Sequence, residues 1–216
     1  MIHLGIIDIK PEDAAYLNQC LNLLPQCMQD KIRAYPRQDE QLRSVLARLI
    51  LQQLLVSQGF SPDILNHFQI DEYGRPSIDD SIDFSFAHAD DYVLCAVSKT
   101  TRLGVDIEKH RDICMDDYSI SLSEKELEDL TNSTSPMTDF FILWTKKEAI
   151  SKANGKGLGI LLPDMVIEKD FATCEHVRWN LKELNVNPHY ASHIAFTGAN
   201  DIEIRQFTLT DFLKNK

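Results

Sequence analysis

Residues 104–108 read Gly104-Val105-Asp106-Ile107-Glu108, two carboxylates two positions apart between apolar neighbours. On a β-strand, successive side chains alternate faces, so this spacing turns Asp106 and Glu108 to one side and Val105 and Ile107 to the other. Taken alone the pentapeptide is an ordinary edge strand with one wet face, the acids pointing into water. Two acids held close on a stiff element also repel each other and lose hydration. A hard divalent cation between them relieves both problems.

A second stretch, Trp144 to Leu158, reads W-T-K-K-E-A-I-S-K-A-N-G-K-G-L. Trp144, Glu148 and Lys152 recur at i, i+4, i+8, which places them on one stripe of a helix with Lys147 beside them, and Gly155 is placed to stop that helix. The stretch adds a third carboxylate and several cations. Magnesium takes one or two carboxylates, keeps water and completes its shell with phosphate oxygens, while nearby lysines offset phosphate charge. The joint pattern points to a phosphate-ester or pyrophosphate substrate.

Composition narrows the class. The chain of 216 residues accommodates one compact unit or two small halves, and its 44% hydrophobic and 25% charged content is that of a soluble globular protein. No stretch approaches the ~20 apolar residues of a membrane-spanning helix. The opening M-I-H-L-G-I-I-D-I-K lacks a basic n-region and a cleavage site, so it is read as a first strand and the protein as cytoplasmic. The five cysteines Cys20, Cys27, Cys95, Cys114 and Cys174 form no C-x-x-C pair, which argues against a disulfide framework or structural zinc. A net charge of −11 disfavours an indiscriminate nucleic-acid binder.

The periodicities predict a strand over 3–9, a helix opening at Pro11, a helix over 38–58 ended by Gly59, and strands over 82–88 and 92–98. A polar connection, Lys99 to Arg102, divides residues 1–100 from 101–216. Beyond it come strands over 103–108, 165–168, 177–181, 190–196 and 203–208, and helices over 123–130 and 138–153; Ser123 and Glu126 have capping-box spacing. Trp179 and Phe196 are assigned to packing. Between Lys31 and Arg48 five basic residues meet only Asp39 and Glu40, a local balance of +3 in an acidic chain, readable either as a solvated face or as an anion site. From Asp112 to Leu130 seven acids meet only Lys125, a run read as a solvated face. A lone histidine such as His88, at the end of an apolar strand, is ordinarily a satisfied core residue.

The G-V-D-I-E stretch, then W-T-K-K-E-A-I-S-K over 144–152, then G-K-G-L over 155–158 together resemble the signature of the surfactin-type (Sfp-type) phosphopantetheinyl transferases. Upstream pieces extend the resemblance. Gly74-Arg75-Pro76 is similar to the family's glycine-basic-proline element near the nucleotide, and F-S-F-A-H-A over 84–89 is similar to its phenylalanine-x-x-serine-histidine-serine piece. The last match departs at Ala87 and Ala89, where the family has serines.

The resemblance implies an α+β fold of two similar halves, each a small, mainly antiparallel sheet packed against helices, related by pseudo-two-fold symmetry with the site at their interface. It implies magnesium-dependent transfer of the phosphopantetheine arm of coenzyme A to a serine of an apo acyl or peptidyl carrier protein, releasing adenosine 3',5'-bisphosphate. Such carriers serve fatty acid, polyketide and nonribosomal peptide biosynthesis. Asp106, Glu108 and Glu148 would hold Mg2+; Glu148 and Lys152 would be catalytic; Lys31, Arg43, Arg75, His88, Lys147 and Lys152 would contact coenzyme A. The enzyme would act as a monomer, with no nucleic acid or membrane partner. Two rivals from other classes are a noncatalytic coenzyme A or nucleotide-binding module and a metal-dependent nuclease. The acidity of the chain and the lack of a long basic groove count against the nuclease.

Overall fold

The computed structural model describes residues 1–198 and 201–214. In chain order the elements are strand β1 (Ile2–Asp8), helices α1 (Leu17–Leu21), α2 (Gln26–Arg33) and α3 (Gln38–Ser57), short strands β2 (Gln69–Ile70) and β3 (Pro76–Ser77), and strands β4 (Asp83–Ala89) and β5 (Tyr92–Ser98). There follow β6 (Leu103–Lys109), α4 (Glu124–Thr131), α5 (Pro136–Asn154), β7 (Val166–Ile167), β8 (Phe171–Cys174), β9 (Val177–Glu183), β10 (Tyr190–Phe196), β11 (Ile202–Phe207) and α6 (Leu209–Leu213), with 3-10 turns between several of them. The chain is mixed α+β, its sheets packed on helices. It forms two compact units: Met1–Asp71 with Pro76–Thr100 and Asn200–Lys216, and Glu72–Arg75 with Thr101–Ala199. Among the described residues no helix is long and apolar enough to cross a membrane.

The first unit is built on a four-stranded sheet in the order β11-β1-β5-β4. Helix α3 carries Leu42, Val45, Leu46, Leu49 and Ile50 at helical spacing, and all five are buried with Ile7, Val93, Cys95 and Val97 of the sheet. Gly5 lies where a Cβ would collide with the Ile50 side chain and the Phe207 ring, so glycine lets these groups close over β1.

The division of the chain differs from the expected one at two places. Residues 72–75 cluster with the second unit, and the C-terminal segment belongs to the first. Strand β11 runs parallel to β1, pairing Ile2 with Ile202 through Ile7 with Phe207. The cause is the edge of β1: an apolar strand with one free ladder needs a partner, and β11 satisfies its backbone groups while delivering Phe207 to the core.

The second unit is a five-stranded antiparallel sheet in the order β6-β10-β9-β8-β7. Helix α5 buries Ala149, Ile150 and Ala153 with Trp179, Leu181 and Ala195 of the strands. Its first turns form an aromatic group, Phe140 stacked on Trp144 at 5.8 Å with Tyr118 edge-on to both. The sequence reading has no strand at β8. Its hairpin with β9 turns at Glu175 and His176, both with positive φ (48° and 65°), where the usual Asn-Gly or Asp-Gly signal is absent.

Candidate active site

The candidate site residues Asp106, Glu108, Glu148 and Lys152 lie where α5 meets β6. Helix α5 starts with Pro136 at its first turn and stops at Gly155, whose φ of 83° is the left-handed C-terminal stop. Gly104 is the reason the two elements approach so closely: a Cβ there would fall inside contact distance of the Ala149 carbonyl oxygen and the Ala153 amide nitrogen. Alternation along β6 puts Asp106 and Glu108 on the face of Gly104, hence on the face that α5 covers. Glu148 and Lys152, one residue ahead of the two alanines, flank the contact.

That geometry corrects the expectation that Asp106 stands on a wet face. Its exposure is 6%. One oxygen, Oδ1, accepts from Lys152 Nζ at 2.7 Å, and the same ammonium donates to the Val105 carbonyl at 3.2 Å. The other oxygen, Oδ2, is buried with no hydrogen-bond partner. Burial pushes the Asp106 carboxyl up to about 6; Lys152 opposes the shift, and the negative charges of Glu108 and Glu148 add to it. Glu148 is also raised by burial, again with Lys152 opposing and Glu108 adding. Glu108 accepts from Arg111 Nη1 at 3.0 Å.

In donor chemistry the set suits a hard divalent cation: three carboxylates whose charges oppose one another, one of them carrying an orphaned buried oxygen. Among the described residues no three His, Cys, Asp or Glu side chains stand grouped as a ready ligand set. Lys152 takes up one oxygen of Asp106, and Arg111 one of Glu108.

Lys147 does not join this group. Its side chain is wholly buried, and Nζ donates to Glu126 Oε2 at 2.6 Å, to the Leu162 carbonyl at 2.9 Å and to the Ser121 carbonyl at 3.1 Å. With all three donors satisfied internally, none is left for a phosphate, and the expected coenzyme A contact is corrected to a structural tie. The same bonds correct the reading of 112–130 as purely solvated, because the Glu126 carboxylate also closes the capping box by accepting from the Ser123 amide at 2.7 Å.

His193 is a residue the sequence reading missed. On β10 it pairs in register with Asp106, so the two side chains share a face. It is 3% exposed, with Nδ1 2.8 Å from Thr145 Oγ1, and that hydroxyl donates to the Phe141 carbonyl at 2.8 Å. The imidazole tautomer sets which of the two groups donates; burial pushes the His193 pKa down to about 3, Lys146 adding to the shift. The only signal was a histidine inside the apolar run Y-A-S-H-I-A-F.

Of the other expected contacts, Arg75 donates to the Ala153 carbonyl at 3.3 Å and the Leu103 carbonyl at 3.2 Å, at the C-terminal end of α5. Arg102 joins it there, donating to Ala153 and Asn154. Lys31, Arg43 and His88 lie in the first unit. Lys31 is exposed near the end of α2, and His88 is exposed on β4. Arg43 donates to Asp39 at 2.8 Å and to the Asp90 carbonyl at 3.2 Å, and its Nε is buried without a partner. Arg37 and then Arg43 hold the Asp39 carboxyl well below the usual carboxylate range.

The family model of the 4'-phosphopantetheinyl transferase superfamily matches residues 102–208, the stretch that contains β6 and α5. The chain is 33% identical to the 4'-phosphopantetheinyl transferase gsp of Aneurinibacillus migulanus over 65% of its own length and 60% of that protein's. It is 30% identical to the 4'-phosphopantetheinyl transferase Sfp of Bacillus subtilis (strain 168), over 73% of this chain and 72% of that one. With the 4'-phosphopantetheinyl transferase pptA of Paxillus involutus the identity is 26%, over 92% of this chain and 86% of the relative. The chain thus spans about 60 to 72% of the two bacterial relatives. It belongs to the 4'-phosphopantetheinyl transferase superfamily.

Proposed function

We propose that this chain transfers the phosphopantetheine arm of coenzyme A to a serine of an apo acyl or peptidyl carrier protein in a magnesium-dependent reaction. The observation that carries the reading is the buried Asp106, with an orphaned oxygen, held between Lys152 and the charges of Glu108 and Glu148. A pure binding module for a phosphate anhydride has no use for three acids beside its ligand.

Asp106, Glu108 and Glu148 would hold the magnesium ion, which when bound supplies positive charge to a pyrophosphate. The serine oxygen attacks the phosphorus bearing the pantetheine arm, and the bond from that phosphorus to the bridging oxygen breaks. Adenosine 3',5'-bisphosphate leaves with the electron pair. Glu148, or a bound water, takes the serine proton. Lys152 offsets charge on the phosphates. Lys31, Arg43, Arg75 and His88 are assigned to the phosphates and nucleotide of coenzyme A; the unpartnered Nε of Arg43 supports this for that residue. On this reading the enzyme acts as a cytoplasmic monomer.

The second reading, a noncatalytic coenzyme A-binding module, is favoured by Ala87 and Ala89, which lack the hydroxyls of the family's serines. Incubation with coenzyme A, magnesium and an apo carrier, followed by intact mass, separates the two. The proposal expects the carrier to gain one phosphopantetheine. Binding of coenzyme A without any adduct, on carriers that a working transferase does load, would overturn it.

A further inference from the structure

Asp106 already has a cation. Lys152 Nζ sits 2.7 Å from Oδ1 and 3.2 Å from the neighbouring Val105 carbonyl, on a carboxylate that is 6% exposed. A buried carboxylate needs a partner charge, and this one is supplied from the last turn of α5 by a long side chain that stays about one-third exposed, at 33%. The two members of the pair differ in freedom. Asp106 is short and locked in a strand, whereas Lys152 has a long, flexible four-carbon stem that is about one-third exposed. When the pair separates, it is therefore Lys152 that moves.

An ammonium group and a divalent ion on the same carboxylate repel each other. The orphaned Oδ2 offers the ion a first foothold, but use of both oxygens requires Lys152 to leave. Once displaced, its ammonium needs another anion. Phosphate at this site is the natural recipient, since Lys152 stands one helical turn from Glu148 and on the same stripe.

We propose that Lys152 is a resident counter-ion that competes with the divalent cation for Asp106 and is drawn off by the substrate's phosphates, so that phosphate binding opens the metal site. Metal and coenzyme A then strengthen each other's binding through one side chain, in addition to any direct contact between them, and by linkage the effect is reciprocal. This inference rests on the function proposed above.

Magnesium binding by the full chain, without carrier, tests it. Calorimetric titration at about pH 8.5, where Asp106 is ionised, compares wild type with Lys152→Met and Lys152→Gln. Both variants remove the charge, while Gln keeps an amide that can reach Asp106. With coenzyme A absent, both are expected to bind magnesium about tenfold or more tightly than wild type, within the usual range of coupling between sites. The strengthening of magnesium binding by coenzyme A should shrink by the same factor. Equal or weaker magnesium binding by the variants would overturn the inference, as would the absence of measurable binding in all three proteins.

A measurement on wild type stands independently of whether the variants fold. Brief acetylation with acetic anhydride, read by peptide mass spectrometry, should label Lys152 more with magnesium than without, and less again once coenzyme A is added. Labelling that magnesium leaves unchanged would also overturn it. The outcomes stay distinct from those of the transfer assay. Missing carrier adduct with these magnesium effects intact rejects the transfer reaction alone, and normal transfer without them rejects the counter-ion role alone.

Discussion

At the scale of single residues, Asp106 and His193 share a face across two paired strands and respond to acid in opposite directions. Asp106 has a native pKa of about 6 against an ordinary 3.8, so between these values the native chain keeps a proton that the unfolded chain has released. Stability from this group falls as pH rises through that window. His193 is pushed from 6.5 down to about 3, so between those values the unfolded chain binds a proton that the native chain refuses, and stability falls as pH drops. Asp106→Asn is expected to stabilise the protein at neutral pH by up to about 3 kcal/mol, an advantage that fades toward pH ~4, while transfer is lost. His193→Asn should remove much of the acid-side loss. Urea unfolding of both variants between about pH 4 and 8 checks the signs; parallel curves for wild type and Asp106→Asn would contradict the burial argument. Lys147 gives a second residue-scale contrast. Lys147→Met replaces a buried ion-pair partner with an apolar group of similar length and should leave coenzyme A affinity unchanged by calorimetry. Glu126→Ala strands the ammonium and should cost about 3–5 kcal/mol in urea unfolding.

At the scale of elements, the site depends on how closely α5 can approach β6. The atoms that a Cβ at Gly104 would meet are backbone atoms of Ala149 and Ala153, which cannot swing aside as a side chain can. Gly104→Ala must therefore move the helix off the strand and stretch the Lys152 contact to Asp106. Overpacking of this kind costs about 1–3 kcal/mol, and here the upper end is expected, with transfer falling more steeply than stability. Thermal unfolding beside the carrier mass assay gives both values. A Gly104→Ala protein with wild-type melting and turnover would show that the approach of α5 has no functional weight. This same C-terminal end of the helix is held by Arg75 and Arg102 on the Ala153 and Asn154 carbonyls, where cations complement the negative end of the helix dipole.

At the scale of the whole molecule, the C-terminal segment belongs to the first unit. Strand β11 completes the ladder of β1, and Phe207, Leu209 and Phe212 enter a core shared with α1, α2, α3 and the sheet. Deleting residues 201–216 uncovers the β1 edge and takes two phenylalanines out of that core. Losing even one buried Phe typically costs about 3–5 kcal/mol, so the truncated chain is expected to lose amide-exchange protection throughout β1 and to aggregate. Hydrogen exchange by mass spectrometry checks this. Protection of β1 equal to that of the full chain would mean that β11 is dispensable.

Short-range pattern was legible in the amino-acid order because it is set by the chain itself. The D-x-E alternation on a strand, the i, i+4 stripe of Glu148 and Lys152, the stop at Gly155 and the capping box at Ser123 each follow from local geometry, and the family follows from those motifs in order. What the order left open is what packs against each element from far along the chain. Asp106 was read as wet because alternation names a face without saying whether a helix covers it. Lys147 and Lys152 lie five positions apart on one helix, yet one is tied to Glu126 and the other to Asp106, a difference decided by where α4 and β6 lie. The turn at Glu175 and His176 has no local signal, since its positive φ angles are sustained by the strands it joins. The partner of β11 lies at the opposite end of the chain. Burial, charge state and strand pairing are set by contacts between distant segments, and only the tertiary structure decides those.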